Sequence, residues 1–276
     1  MLKNLFILFF GTCSFLNAQE ESHLFPKPKK EKGQFYFSWG YNKDWFSKSD
    51  IHFSDEGHPD PVNKYTNSSY DFVVYDVEAK DRPGFKDILR TDLTIPQYVY
   101  RIGYFFNKEH DLGIEINFDH AKYVMRPNQT LRVKGTIHGQ QIDQDTLITG
   151  DFLHLEHTDG ANFMMVNIMK RHTLLGSKNN KHVLRGVVKL GAGVVIPKTY
   201  VRMWGEDLDN RFHVAGYCAG LETGLRYEAF RYVFLEYTAK GVFANYNRVL
   251  TMGTGKANHH FWTFENILAL GLQFPL

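Results

Sequence analysis

The sequence holds only two cysteines, Cys13 and Cys218, and the first lies in a segment that reads as a cleaved leader. The mature chain therefore has no pair with which to form an internal disulfide, and its stability must come from packing and strand pairing. Neither sign of charge prevails: 32 Lys and Arg stand against 30 Asp and Glu, a formal net charge of +2. A nucleic-acid binder carries a clustered basic excess, so that class is excluded. The one basic cluster, Pro26-Lys27-Pro28-Lys29-Lys30, lies in a short polar stretch and reads as a solvated linker. After the leader no long apolar run remains, and the leader's own run is shorter than the roughly 20 residues a bilayer-spanning helix needs. Helical periodicity is nearly absent. No His-Glu-x-x-His or Cys-x-x-Cys motif occurs. Among the 13 histidines, His154 and His157 fall on opposite faces of a strand and His259 and His260 are adjacent, so neither makes a bidentate pair in β geometry. No metal and no cofactor is expected.

What is present begins with a secretory signal. Lys3 supplies the positive region, Leu5-Phe6-Ile7-Leu8-Phe9-Phe10 the apolar core, and Asn17-Ala18-Gln19 a cleavage site after Ala18. The expected organisation is a signal peptide over 1–18, a polar periplasmic segment over 19–32 and one β domain over 33–276. Aromatic residues make up 15% of the chain, with 23 Phe and 15 Tyr, the residue types that suit pleated sheets and membrane interfaces.

Period-two alternation dominates the mature chain. In His110 to Asp119, Leu112, Ile114, Ile116 and Phe118 share one face, against Gly113, Glu115, Asn117 and Asp119. The segment from Ile95 to Phe106 sets Tyr98, Tyr100, Ile102 and Tyr104 against Arg101 and Gly103, and the turn 107–109 joins the two as a hairpin. Leu184 to Ile196 sets Val188, Leu190, Ala192 and Val194 against Arg185, Lys189, Gly191 and Gly193. Phe212 to Tyr227 sets Ala215, Tyr217, Ala219, Leu221 and Leu225 against Gly216, Cys218, Gly220, Glu222, Gly224 and Arg226. Arg231 to Tyr246 sets Val233, Leu235, Tyr237 and Ala239 against Glu236, Thr238 and Lys240, and the last segment sets Leu268, Leu270, Leu272 and Phe274 against Ala269, Gly271 and Gln273. Gly33 to Asn42 and Asn162 to Arg171 complete eight strands.

The connections alternate in length. Short turns fall at 107–109, 172–182 and 228–230, and longer ones at 43–94, 126–161, 197–211 and 247–258. That asymmetry is the one seen in closed antiparallel up-and-down transmembrane β-barrels, with tight periplasmic turns and longer loops outside. Strand-like pieces at Ser69 to Val77 and Ile142 to His157 leave ten strands open as an alternative. A soluble lipocalin-like periplasmic barrel also alternates, with its apolar face inside. The second face separates the two readings. It consists mainly of glycine with scattered charges of both signs, which suits a crowded lumen better than a wet surface.

The last strand, Asn266-Ile-Leu-Ala-Leu-Gly-Leu-Gln-Phe274, resembles the C-terminal signal by which the barrel-assembly machinery recognises outer-membrane proteins, although the chain continues to Pro275 and Leu276. In overall pattern the chain resembles the small bacterial outer-membrane β-barrel proteins, the OmpA/OmpX/OmpW-like group, in a Bacteroidetes-type form. The resemblance implies residence in the cell outer membrane, among its lipids and lipopolysaccharide. It implies location and fold far more than activity.

Candidate chemistry starts from the inward charges Arg101, Glu115, Asp119, Glu222, Arg226, Glu236 and Lys240. Meeting in the lumen, they would form a salt-bridge network that plugs it; the other reading is a narrow, porin-like polar pore. Barrels of this size include lipid A-modifying enzymes, among them deacylases with a His-x-Ser pair on a strand near the C-terminus. Here the only His-x-Ser is His52-Phe53-Ser54, in the first long loop, with Asp50 and Asp55 nearby. That loop, 43–94, mixes aromatic and charged residues and reads as a hairpin extending the wall, or as a surface for an extracellular partner. The expected function is a non-enzymatic structural or interaction protein or narrow pore, with a lipid-modifying enzyme as the alternative.

Overall fold

The computed structural model describes residues 33–57, 69–82, 97–106 and 111–276. The expected signal peptide, the polar segment 19–32 and the turn 107–109 lie outside the described residues, as do 58–68 and 83–96 of the long first loop. In chain order the described strands are β1 (Gln34–Phe46), β2 (Ser49–Asp55), β3 (Tyr70–Val77), β4 (Ala79–Lys80), β5 (Tyr98–Phe105), β6 (Leu112–His120), β7 (Tyr123–Met125), β8 (Gln129–Ile137) and β9 (Gln140–Ile148). They continue as β10 (Leu153–His157), β11 (Phe163–Gly176), β12 (His182–Val195), β13 (Tyr200–Met203), β14 (Glu206–Asp209), β15 (Gly216–Ala229), β16 (Val233–Leu250) and β17 (Lys256–Pro275).

Eight of these close a barrel. The order β1-β5-β6-β11-β12-β15-β16-β17 is antiparallel throughout, and β17 returns to pair with β1 from Gln34↔Pro275 to Phe46↔Thr263. The eight strands are those expected from the alternation, so the ten-strand alternative is set aside. The extra strand-like pieces build outward from the barrel instead of widening it. β2 carries on the line of β1 along the upper part of β17, from Ile51↔His259 to Ser54↔Lys256, after a one-residue irregularity. β3, β8 and β9 then follow β2 edge to edge. The hairpin β8–β9 turns on His138 and Gly139, with φ of 52° and 77°. This is the positive-φ pair a two-residue turn needs to match strand twist.

A second sheet, β14-β13-β10-β7-β4, faces this extension and forms a cap. Ile51, Phe53, Phe72, Val74 and Val133 of the first sheet share one apolar core with Tyr123, Met125, Leu155, Val201 and Met203 of the cap. That core runs down into the barrel mouth through Phe163, Met165, Val195, Cys218, Val242, Tyr246 and Phe261. The described part of the first long loop thus adds β2 and β3 to the wall and β4 to the cap, and the Ile142-to-His157 piece splits into β9 and β10.

The outward face of the barrel is the apolar one. Leu190 and Ile168 are 64% exposed and Trp262 61%. Exposed rings stand toward both ends of the strands: Phe35, Phe37, Tyr227, Phe230, Tyr232 and Phe274 at the end where Gln34 pairs with Pro275, and Trp45, Tyr217, Trp262 and Phe264 toward the cap, with Trp39, Tyr100 and Tyr237 between them. One residue departs from the expected face: Ala215 precedes β15 and is buried in the shared core. Inside, glycine makes room for rings. A Cβ on Gly103 would stand 2.4 Å from the Tyr36 ring, and one on Gly271 would stand 2.1 Å from the Phe234 ring. Gly103→Leu is expected to displace Tyr36 and lower barrel stability by about 1–3 kcal/mol. The measurement is the urea midpoint of the compact, heat-modifiable gel band, with Ala219→Leu on the outward face as a near-neutral control.

Candidate functional site

The barrel interior is built from the polar partners of the alternating strands, and the register decides which of them meet. One row crosses five strands. Lys189 of β12 opposes Glu222 of β15, Glu222 opposes Lys240 of β16, Lys240 opposes Glu265 of β17, and Glu265 opposes Asp44 of β1. Signs alternate along this ladder until the last step, where two carboxylates face each other. Asn42 bridges them, its Nδ2 donating to Asp44 Oδ2 at 3.2 Å and to Glu265 Oε2 at 3.3 Å.

Across the lumen the ladder closes into a network. Lys189 Nζ lies 2.9 Å from Glu115 Oε2, 2.8 Å from Glu236 Oε1 and 3.3 Å from Glu222 Oε1. Arg101 Nη1 lies 2.5 Å from Glu222 Oε1 and 3.6 Å from Glu236 Oε1. Arg226 Nε donates to Glu236 Oε2 at 2.6 Å, while its guanidinium lies over the Tyr36 and Phe234 rings at 4.4 and 4.0 Å. Lys240 pairs with Asp119, and the Tyr36 hydroxyl donates to Glu115. All of these groups are buried. Charges out of water persist only when paired, and cation–π contact supplements the pairing at Arg226.

Below this layer, at the terminal end, Arg171 Nε reaches Asp111 Oδ1 at 2.9 Å and Arg185 Nε reaches Glu228 Oε1 at 2.9 Å. The Arg171 guanidinium stacks 3.9 Å above Phe105. Above the ladder, the apolar core fills the mouth. The lumen is thus occupied along its length by ion pairs, then by a hydrocarbon core.

All seven residues expected inside are brought together. The reading missed Lys189 as a member, although it sits on the glycine face of its strand. It also missed Asp44 and Glu265. Extending the period-two pattern by one step beyond Asn42, and back along β17 from Ile267, reaches both. Arg185 lay on the polar face of its strand, and Glu228 continues the period from Arg226, but that these meet Arg171 and Asp111 depends on how the strand ends stagger.

His52 and Ser54 lie on the outward face of β2, opposite the core residues Ile51 and Phe53. His52 Nε2 is 2.6 Å from Asp71 Oδ1 on β3, and Ser54 is in register with Asp71. Among the described residues no hydrogen bond joins Ser54 to His52. Asp50 instead receives the Asp76 backbone N–H at 2.8 Å, and Asp55 receives the Thr254 hydroxyl at 2.7 Å. An orienting acid is present for His52, and both side chains of that pair are open to solvent. A shallow cleft of about 440 Å³ opens elsewhere, between Asp209, Asn210 and Arg211 on one side and Leu250, Gly253, Thr254 and Lys256 on the other. Among the described residues no group of three His, Cys, Asp or Glu side chains is arranged to hold a metal ion.

No protein-family model matches the chain, and no curated protein matches it in sequence. Solved structures with a similar outline include Ail, the attachment invasion locus protein of Yersinia pestis, in complex with the heparin analogue sucrose octasulfate. It is 11% identical, covers 88% of this chain and 99% of its own, and has a TM-score of 0.34. The outer membrane protein OprG from Pseudomonas aeruginosa is 10% identical over 89% and 98%, with a TM-score of 0.39. Neisserial surface protein A is 9% identical over 90% and 100%, with a TM-score of 0.33. At such scores the likeness decides nothing by itself, and the fold rests on the strand pairing above.

Glu236 receives charge from Arg226 and Lys189, with Arg101 beyond them. Glu236→Gln keeps its shape and removes that compensation, so it is expected to lower barrel stability by about 3–5 kcal/mol. Tyr237→Phe, on the outward face, loses only the bond to Asn266 and should change stability by roughly 1 kcal/mol or less. Urea titration of both variants checks the pair, and equal midpoints would refute the ladder's role.

Proposed function

We propose that this chain is an outer-membrane wall protein with a sealed lumen, and that it acts through the folded cap it carries on the extracellular side. The observation that carries this reading is the outward apolar belt between two sets of rings. From Trp262 to Phe274 a strand tilted by roughly 40° rises about 30 Å, close to the hydrocarbon thickness of a bilayer. In water such a belt would be an aggregation surface, and in lipid it is the solvated state. A lipocalin-like barrel would turn the same residues inward, so the soluble alternative finds no support here. The termini then lie on the periplasmic side, as the even strand number requires, and the cap stands above the outer leaflet. On this reading lipids and lipopolysaccharide surround the belt, the barrel-assembly machinery closes β17 onto β1, and the 43–94 region presents a surface to an extracellular partner.

The role is non-enzymatic and structural or interactive. A narrow pore is disfavoured because the lumen is filled by paired charges below and apolar side chains above. The lipid-modifying alternative rests on His52 and Ser54, which stand on the open face of β2.

Two outcomes test the proposal. Purified protein in planar bilayers is expected to give no steady conductance, whereas reproducible open channels would overturn the sealed lumen. Leu190→Arg, near the middle of the belt, is expected to destabilise the barrel in phospholipid by about 2–4 kcal/mol. In a soluble protein the same exposed substitution would fall within about 0.5 kcal/mol.

A further inference from the structure

Where the cap meets the barrel mouth, a polar chain of five side chains runs through the apolar core. His157 ends β10 of the cap, and His259 lies on β17 above the outer rings. Both side chains are buried, and their Nε2 atoms are 3.2 Å apart. His157 Nδ1 is 2.8 Å from Thr199 Oγ1, at the entry to β13. His259 Nδ1 is 3.4 Å from Ser49 Oγ, and Ser49 Oγ is 3.3 Å from the Tyr123 hydroxyl. The chain Tyr123–Ser49–His259–His157–Thr199 thus passes from cap to barrel and back, each link needing one proton. Its packing is aromatic, with the Tyr246 ring stacked on His157 at 5.1 Å and Phe261 5.4 Å from His259.

Two neutral imidazoles satisfy that chain, one donating its Nε2 proton to the other's lone pair. A first added proton sets an uncompensated charge in a hydrocarbon core. A second puts two N–H groups face to face. Among the described residues no carboxylate lies within salt-bridge distance of either ring. Glu156, next to His157, is turned to Arg82 and His154. Glu265, further along β17, is engaged with Asn42. The other titratable groups around the pair are Tyr123 from β7, Tyr246 from β16, His213 from the segment before β15, and His260 beside His259. Tyr246 donates its hydroxyl to the Ala161 carbonyl, and His213 Nε2 lies 2.7 Å from the Arg248 carbonyl. None supplies a negative charge, and burial holds the Tyr123 hydroxyl up at about 12, so it stays a donor.

We propose that this histidine pair is a proton-operated clasp, which holds the cap on the barrel at neutral pH and releases it in acid to uncover the apolar core between them. Burial, followed by the neighbouring His259 and His213, holds His157 well below the ordinary imidazole value. Its contribution is therefore complete above the unfolded value near 6.5, and it is lost as pH falls below that value, because the open state binds a proton that the closed state refuses. Each histidine gaining a proton on opening shifts the closed-to-open ratio about tenfold per pH unit, and both together about a hundredfold.

The test uses the full chain in detergent micelles, digested by proteinase K at pH 7.5 and pH 5.0, with rates scaled to an unstructured substrate. Cleavage within the cap is expected to rise at least tenfold at pH 5.0, while the heat-modifiable barrel band persists. In the variant carrying His157→Gln and His259→Gln that ratio should fall to within twofold. Equal wild-type rates at the two pH values would overturn the clasp, as would a folded double variant that keeps the full acid response. If the variant loses its heat-modifiable band, ring-carbon NMR of the wild-type protein decides. Two histidines that stay neutral down to the pH of opening support the clasp, and all histidines titrating near 6.5 with the cap shut refute it.

Discussion

Charge compensation in the barrel interior is the constraint on which the rest of this structure depends. Once the apolar side of every strand faces outward, the other side must fill a cylinder about as wide as the side chains themselves. Ions placed there are far from water and need partners at bonding distance. Lys189 meets Glu222 on the neighbouring strand, Arg101, Glu115 and Glu236 complete the network across the lumen, Lys240 meets Asp119, and Asn42 bridges the Asp44 and Glu265 carboxylates. The glycines follow from the same constraint. Gly103 and Gly271 leave space for Tyr36 and Phe234, whose faces in turn receive the Arg226 guanidinium.

The ladder also divides the molecule. Below the Asp44–Glu265 step the interior is ionic, and above it the interior is hydrocarbon. The change comes where β16 and β17 run past the barrel strands and β2 takes over from β1 as the neighbour of β17. From there upward the wall has apolar residues on its inner side, as an ordinary two-sheet core does, and it needs a second sheet to cover it. The cap is that cover. A barrel filled in this way resembles a plugged post more than a conduit, which is why the role is assigned to the surface it presents.

Within that dry upper core the His157–His259 pair is the exception to the rule obeyed below it. Most of the lumen charges are ion-paired, whereas no carboxylate among the described residues lies within salt-bridge distance of the two imidazoles. The same low dielectric that makes the ladder rigid makes the pair sensitive to protons. The two halves of the interior therefore differ in their response to acid as well as in composition.

Much of this was legible in the residues themselves. Alternation between Leu112 and Asp119, or between Val188 and Val194, names the two faces because side chains along a strand point to opposite sides. The membership of Arg101, Glu115, Asp119, Glu222, Arg226, Glu236 and Lys240 in one interior follows from that period together with the glycine-rich, mixed-charge composition of their face. Local pattern could not reveal which charges touch, because contact depends on register and on the stagger between strands that are far apart in the chain. It also could not reveal that β4, β7, β10, β13 and β14 form a cap over the extended wall, or that His157 would meet His259, since such short strands carry too few residues for a period to declare itself. The sequence by itself determined an all-β chain of alternating strands and which side chains share a face, through the period of two that strand geometry imposes. Only the tertiary structure decided that eight strands close the barrel, which charges meet inside it and where its two interiors join, because those depend on distances between residues that no local repeat encodes.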